Sequence, residues 1–154
     1  MSTKRNEDIM ARNYLPATAR VLLGVVMLLT GLNKIFWFAP MPHMSPALTA
    51  FMDALKQTGY YLPFIGIVEA TGGALLLVNR FVPLAITILA PVLVNILGVH
   101  TFLDSRGFPI ALILIALDVY LAWVYRDAFR PMFEGRGVKV SRIAESEGLK
   151  RALP

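Results

Sequence analysis

The chain has 154 residues, 56% of them hydrophobic and 16% charged, with a mean hydropathy of +0.62. A soluble domain of this length would need far more polar surface, so the composition excludes one and points to an integral membrane protein. The formal net charge is +5 and cysteine is absent. The basic residues border apolar segments, which argues against nucleic acid as a partner, and the missing thiols exclude disulfides, thiolate metal sites, iron–sulfur ligation and thiol catalysis by this chain alone.

Residues 1–14 are polar and of mixed charge, and read as a cytoplasmic N-terminal segment, with no sign of a cleavable leader. Four apolar runs follow, at about 17–38, 62–78, 81–102 and 108–125. At about 1.5 Å per residue they reach roughly 25 to 33 Å, the thickness of a bilayer core. Aromatic residues crowd their ends, among them Trp37, Tyr60, Tyr61, Phe102, Phe108 and Trp123, as interfacial anchors do. The expected fold is all-α: a four-helix transmembrane bundle over residues 15–133, with a basic cytoplasmic tail at 134–154. Of the 15 basic residues only Lys34, Lys56 and Arg106 fall on the other side. The positive-inside rule therefore places both termini in the cytoplasm of a plasma or inner membrane protein.

Between the first two runs lies "SPALTAFMDALKQTG". Ser45 suits an N-cap, Pro46 the first helical position and Gly59 a C-cap. Leu48, Phe51, Met52 and Leu55 fall on one face, Asp53, Lys56 and Gln57 on the other. The pattern predicts a short amphipathic helix that lies on the outer membrane surface or lids the bundle. The tight "VNRFVP" link makes the second and third spans antiparallel neighbours, with Pro83 in the first turn of the third. Pro91 is expected to kink that third span.

Ionisable groups inside a bilayer are costly and normally turn toward partners. Arg20, Gly24, Met27, Gly31 and Lys34 keep to one stripe of the first helix. Gly66, Glu69 and Gly73 form a stripe on the second, and Ala111, Asp118 and Ala122 one on the fourth. Counting about 1.5 Å per residue from the helix ends, Lys34 lies within reach of Glu69 near the outer side, and Arg20 within reach of Asp118 near the inner side. These are the expected intramembrane ion pairs, and setting helix register is their simplest role. In "LAPVLVNILGVHTFLD" an amide, Asn95, and an imidazole, His100, interrupt a hydrophobic helix. Interhelical bonding and an interfacial histidine would account for them. The sharper expectation is an outward-opening polar pocket formed by Asn33, Lys34, Glu69, Asn95 and His100. Met41, His43 and Met44 in the outer loop offer soft ligands, a weak alternative copper site.

The segments "ARVLLGVVMLLTGLNKIF", "GIVEATGGALLLVNRFVPLAI" and "LAPVLVNILGVHTFL" resemble the DoxX family of small four-helix membrane proteins. The resemblance rests on Arg20, Gly31 and Lys34, on Glu69, Gly72 and Gly73, and on Asn95 and His100, and it covers about 15–133. It implies a four-helix membrane bundle and a link to redox work, since relatives include a small subunit of a thiosulfate:quinone oxidoreductase and others go with oxidative-stress or thiol partners. The expected role is then a redox-associated, at most accessory, membrane subunit. Its pocket would hold a quinone head group, with His100 or Lys34 donating to a carbonyl oxygen and Glu69 handling protons. An anchor or assembly factor for a partner protein is the alternative, and a small-solute or proton transporter a second one. Haem is not expected from one plausible membrane histidine. Partners would be the lipid bilayer, a redox or assembly protein and a second copy of the chain.

Overall fold

The computed structural model describes residues 2–40 and 43–133. Among the described residues the chain is all-α, with six helices: α1 (Ser2–Phe36), α2 (Pro46–Gln57), α3 (Tyr61–Leu77), α4 (Val82–Phe102), α5 (Phe108–Val124) and α6 (Arg126–Phe133), plus a 3-10 turn at Ser105–Gly107. Three stretches are long and apolar enough to cross a membrane: Tyr14–Phe36, Val82–Phe102 and Ser105–Val124. The 17 residues of α3 pass only together with α2, from which α3 is bent by 97°. The protein is therefore an all-α, multi-pass membrane protein with three spans, or four when α3 is counted with its bent partner.

The helix ends follow local chemistry. Ser45 caps α2 by accepting from the Leu48 N–H at 3.1 Å, with Pro46 in its first turn. Gly59 just beyond α2 sits at φ +74°, a left-handed position that glycine takes without a Cβ penalty. Two adjustments concern α1. The segment 1–14, expected only as a polar lead-in, is helical from Ser2 and continuous with the first span. The span then stops at Phe36 and not at 38, because Trp37 turns to φ +52° and the Asn33 side chain accepts from the Ala39 N–H at 2.8 Å. Helix α4 runs from Val82 to Phe102 with Pro91 inside it. Helix α6 was not anticipated. Its side-chain signals are Asp127 paired with Arg130 at 3.4 Å, and Phe129 packed against the core.

The strongest packing joins α1 to α3, and glycine makes it possible. A Cβ on Gly31 would lie 2.6 Å from the Gly66 carbonyl oxygen, and one on Gly73 would lie 2.5 Å from the Leu28 nitrogen. Gly24 meets Gly73 as Gly31 meets Gly66, so the two helices run antiparallel with backbones in contact. That is the small-residue packing membrane helices use where no hydrophobic drive acts between them. Helices α3, α4 and α5 follow in sequence, and α5 returns to α1 to close the bundle. The inner half is filled by Leu23, Met27, Leu76, Ile86, Leu89 and Leu121, each 3% exposed or less. Helix α2 crosses the opposite end, the outer one in the topology expected from the sequence.

Candidate functional site

The outer half of the bundle is hollow. A cavity of about 370 Å³ lies between the outer ends of α1, α3, α4 and α5, with α2 over it. Its wall is mostly apolar. Met44, Leu48, Phe51 and Met52 roof it, and Val92, Ile96, Val99 and Leu114 line its sides. Asn33, Lys34, Glu69, Asn95 and His100 all belong to its lining.

Each polar group reaches the cavity by a separate route. The glycine seam brings α1 so close to α3 that Lys34 Nζ stands 2.6 Å from Glu69 Oε2. The Glu69 side chain is wholly buried, while that of Lys34 keeps 20% of its surface. Thr30, one helical turn before Lys34, stands with its hydroxyl 3.3 Å from the same Oε2. The spacing of four residues was there to be read, but a lone threonine on an apolar face carries little signal. The second oxygen, Glu69 Oε1, is buried without a partner. Asn33 is a wall residue whose side-chain oxygen, Oδ1, accepts from the Ala39 N–H. The Asn95 amide is exposed and lines the cavity.

His100 is tied to the turn above it. Its Nδ1 is 3.0 Å from the Asp104 carbonyl oxygen. A carbonyl only accepts, so the hydrogen belongs on Nδ1. The ring lies against Gly107, where any Cβ would collide with it. Asp104, which stands behind His100 and outside the cavity lining, is a residue that sequence reasoning missed. Its side chain is 7% exposed, its Oδ2 accepts from the Ser45 N–H at 2.8 Å, and its Oδ1 accepts from the Arg106 N–H at 3.2 Å. These backbone donors, first Ser45 and then Arg106, hold its carboxyl below the usual value of 3.8. The motif Asp-Ser-Arg-Gly signals a capped turn, and nothing in the sequence ties it to Ser45, 59 residues away.

The inner pair expected from the sequence does not form. Arg20 Nη1 donates to Asn79 Oδ1 in the α3–α4 turn, while Asp118 Oδ1 is buried with no partner. The reason is rotational: Asp118 shares its stripe with Ala111, Leu114 and Leu121 and enters the leucine core, and Arg20 turns toward the bundle end. Among the described residues no group of three or more His, Asp or Glu is placed to hold a metal ion. Of the copper candidates, Met41 lies outside the described residues, Met44 faces the cavity, and the backbone carbonyl of exposed His43 accepts from Arg106 Nη1 at 3.2 Å.

An all-α, multi-pass membrane protein with a lidded, largely apolar cavity over a buried lysine–glutamate pair is the class that fold and site define. The chain belongs to the DoxX family, whose model matches residues 15–101, more than half of its length. It is also similar to the uncharacterized protein YwoB of Bacillus subtilis (strain 168), with 29% identity over 130 residues, 79% of this chain and 84% of that protein. No solved structure matches it.

Proposed function

We propose that the protein is a redox-associated membrane subunit whose outward-facing cavity takes the head group of a quinone. Family membership supports the redox association. One observation carries the ligand reading: the cavity collects Asn33, Lys34, Glu69, Asn95 and His100 from three helices around an otherwise apolar space. Pockets for small amphiphiles have this character, with apolar walls and a few convergent polar groups. Lys34 keeps two ammonium hydrogens beyond the one given to Glu69, and a quinone carbonyl accepts from such a donor. Glu69, desolvated beside that lysine, is the group that would exchange protons with a bound ring. The accessory role is part of the same reading: without cysteine, thiol redox steps would need a partner protein. Both termini are taken as cytoplasmic, which puts the cavity on the outer side.

The test is titration of the purified protein in detergent with a short-chain benzoquinone, following quenching of Trp37 beside the lid. Saturable binding is expected, weakened by Lys34→Met far more than the stability change explains. Absence of saturable binding to the folded native protein would refute the quinone reading. Co-purification of a soluble protein in that case would favour the anchor.

A further inference from the structure

We infer that α2 is a gate over the cavity, latched at its N-terminal end by Asp104 and hinged at Gly59. The inference rests on the cavity reading above for its purpose, and on separate geometry for its mechanism.

The roof of the cavity is α2 and the residue before its cap, through Met44, Leu48, Phe51 and Met52. Among the described residues this is the roof of the cavity. Yet α2 is held to the bundle at few points. Its body makes limited contact with α3, which it meets at 97°. Its far end is pinned by Lys56 Nζ, 4.9 Å over the Trp37 ring, a contact at the exposed surface. Its near end is held by a compact set of hydrogen bonds. Asp104 Oδ2 takes the Ser45 N–H, Ser45 Oγ donates to the Leu103 carbonyl at 2.5 Å, and Arg106 Nη1 donates to the His43 carbonyl at 3.2 Å. All three run between the start of α2 and the α4–α5 turn. They gather at one point of contact, and a segment held by a few hydrogen bonds can open below the global unfolding free energy.

Gly59 completes the device. It carries φ +74°, and a Cβ there would meet nothing within 4 Å. Glycine takes left-handed and other backbone conformations without a Cβ penalty, so the α2–α3 corner can change its angle at Gly59, and few-residue element ends of this kind serve as hinges. The latch is also connected to the cavity. His100 lines the wall, and its Nδ1 donates to the backbone of the same Asp104 whose side chain holds Ser45. A molecule that displaces the His100 ring moves the residue that holds the lid. Asp104 and Ser45 are thus positioning residues for the gate and have no contact with the cavity contents.

The absence of native cysteine makes the test direct. Leu48 is 6% exposed on the lid's inner face and Leu23 is fully buried in the inner core. Leu48→Cys and Leu23→Cys are made separately in the full-length chain and labelled with a maleimide in detergent. Adding Asp104→Ala should speed labelling at position 48 by about tenfold and leave position 23 protected. Asp104→Asn keeps one acceptor and should fall between native and Ala. It also decides the matter if the Ala protein exposes position 23 by unfolding. Equal labelling rates at position 48 in native and Asn proteins, with position 23 protected, overturn the gate. A short-chain benzoquinone should bind and leave faster in Asp104→Asn with little change in affinity. If that ligand does not bind at all, the quinone reading fails while the labelling result on the gate stands.

Discussion

The two halves of the bundle are built on opposite principles. The inner half is a leucine core whose side chains are almost fully buried, around Leu23, Leu76, Leu89 and Leu121. Its polar residues are set aside: Arg20 reaches the end turn at Asn79, and Asp118 is left alone among leucines. The outer half spends the same helices on a cavity, and its polar residues converge. Shape explains the difference. Small residues on α1 and α3 draw those two helices together along their length, while α5 meets α1 more sparsely than it meets α4. The space this leaves is filled by leucine at the inner end and roofed by α2 at the outer end. Stability is therefore expected to reside in the seam and the inner core, and binding in the outer half.

The largest effect is expected where both halves depend on one contact. Gly66→Leu forces a branched side chain against the Gly31 carbonyl, so the seam must open; overpacking of this kind costs about 3 kcal/mol or more. The protein should be lost from the membrane fraction or melt far lower in detergent. Unchanged melting would mean the halves do not share a seam.

Glu69→Leu comes next. It leaves the Lys34 ammonium beside an apolar side chain, at about 3 kcal/mol on the scale of broken buried pairs. Lys34→Met made together with it should cost less than the sum, and additive losses in the double-mutant cycle would dissolve the pair. In the inner half, Leu76→Ala should cost about 2 kcal/mol through the void it leaves, with ligand affinity unchanged. A loss of affinity there would blur the division proposed between the halves.

Asn95→Leu and His100→Ala reverse that pattern. His100 gives up one hydrogen bond to the turn beside it and Asn95 is exposed, so each should cost about 1 kcal/mol or less, while weakening quinone-analogue binding well beyond it. Thermal stability and binding on the same preparations decide this, and stability losses without a binding change would make both residues structural.

The smallest effect concerns pH. The carboxyl of Asp104 is held below its ordinary 3.8, so its contribution to the latch is complete above that value and is lost as pH falls through the folded one. Opposing charge at the latch comes from Arg106, with His100 close by. In a Trp123→Phe background, the fluorescence of Trp37 beside Lys56 should stay flat between about pH 5 and pH 8 and change only in strong acid. A transition near neutrality that persists in His100→Ala would place the titrating group elsewhere.

Much of this was present in the order of residues. Four apolar runs, aromatic ends, the Ser45–Pro46 start and the glycine–charge stripes are local or periodic signals, and helix geometry converts them directly into faces. Span length and helix caps need no knowledge of neighbours, and the Lys34–Glu69 contact follows once two stripes of glycine turn toward each other. What the sequence could not supply was the rotation of each helix about its own axis and the place of the loops. Arg20 and Asp118 are within reach of each other by depth and opposite in charge, yet packing turned one to the Asn79 turn and the other into leucine. Asp104 holds Ser45 only because the α4–α5 turn folds against the start of α2, a contact across 59 residues with no periodic signature. Residue spacing along a helix encodes which side chains share a face, whereas the facing partner is decided by how all the helices fill space together, and that only the tertiary structure contains.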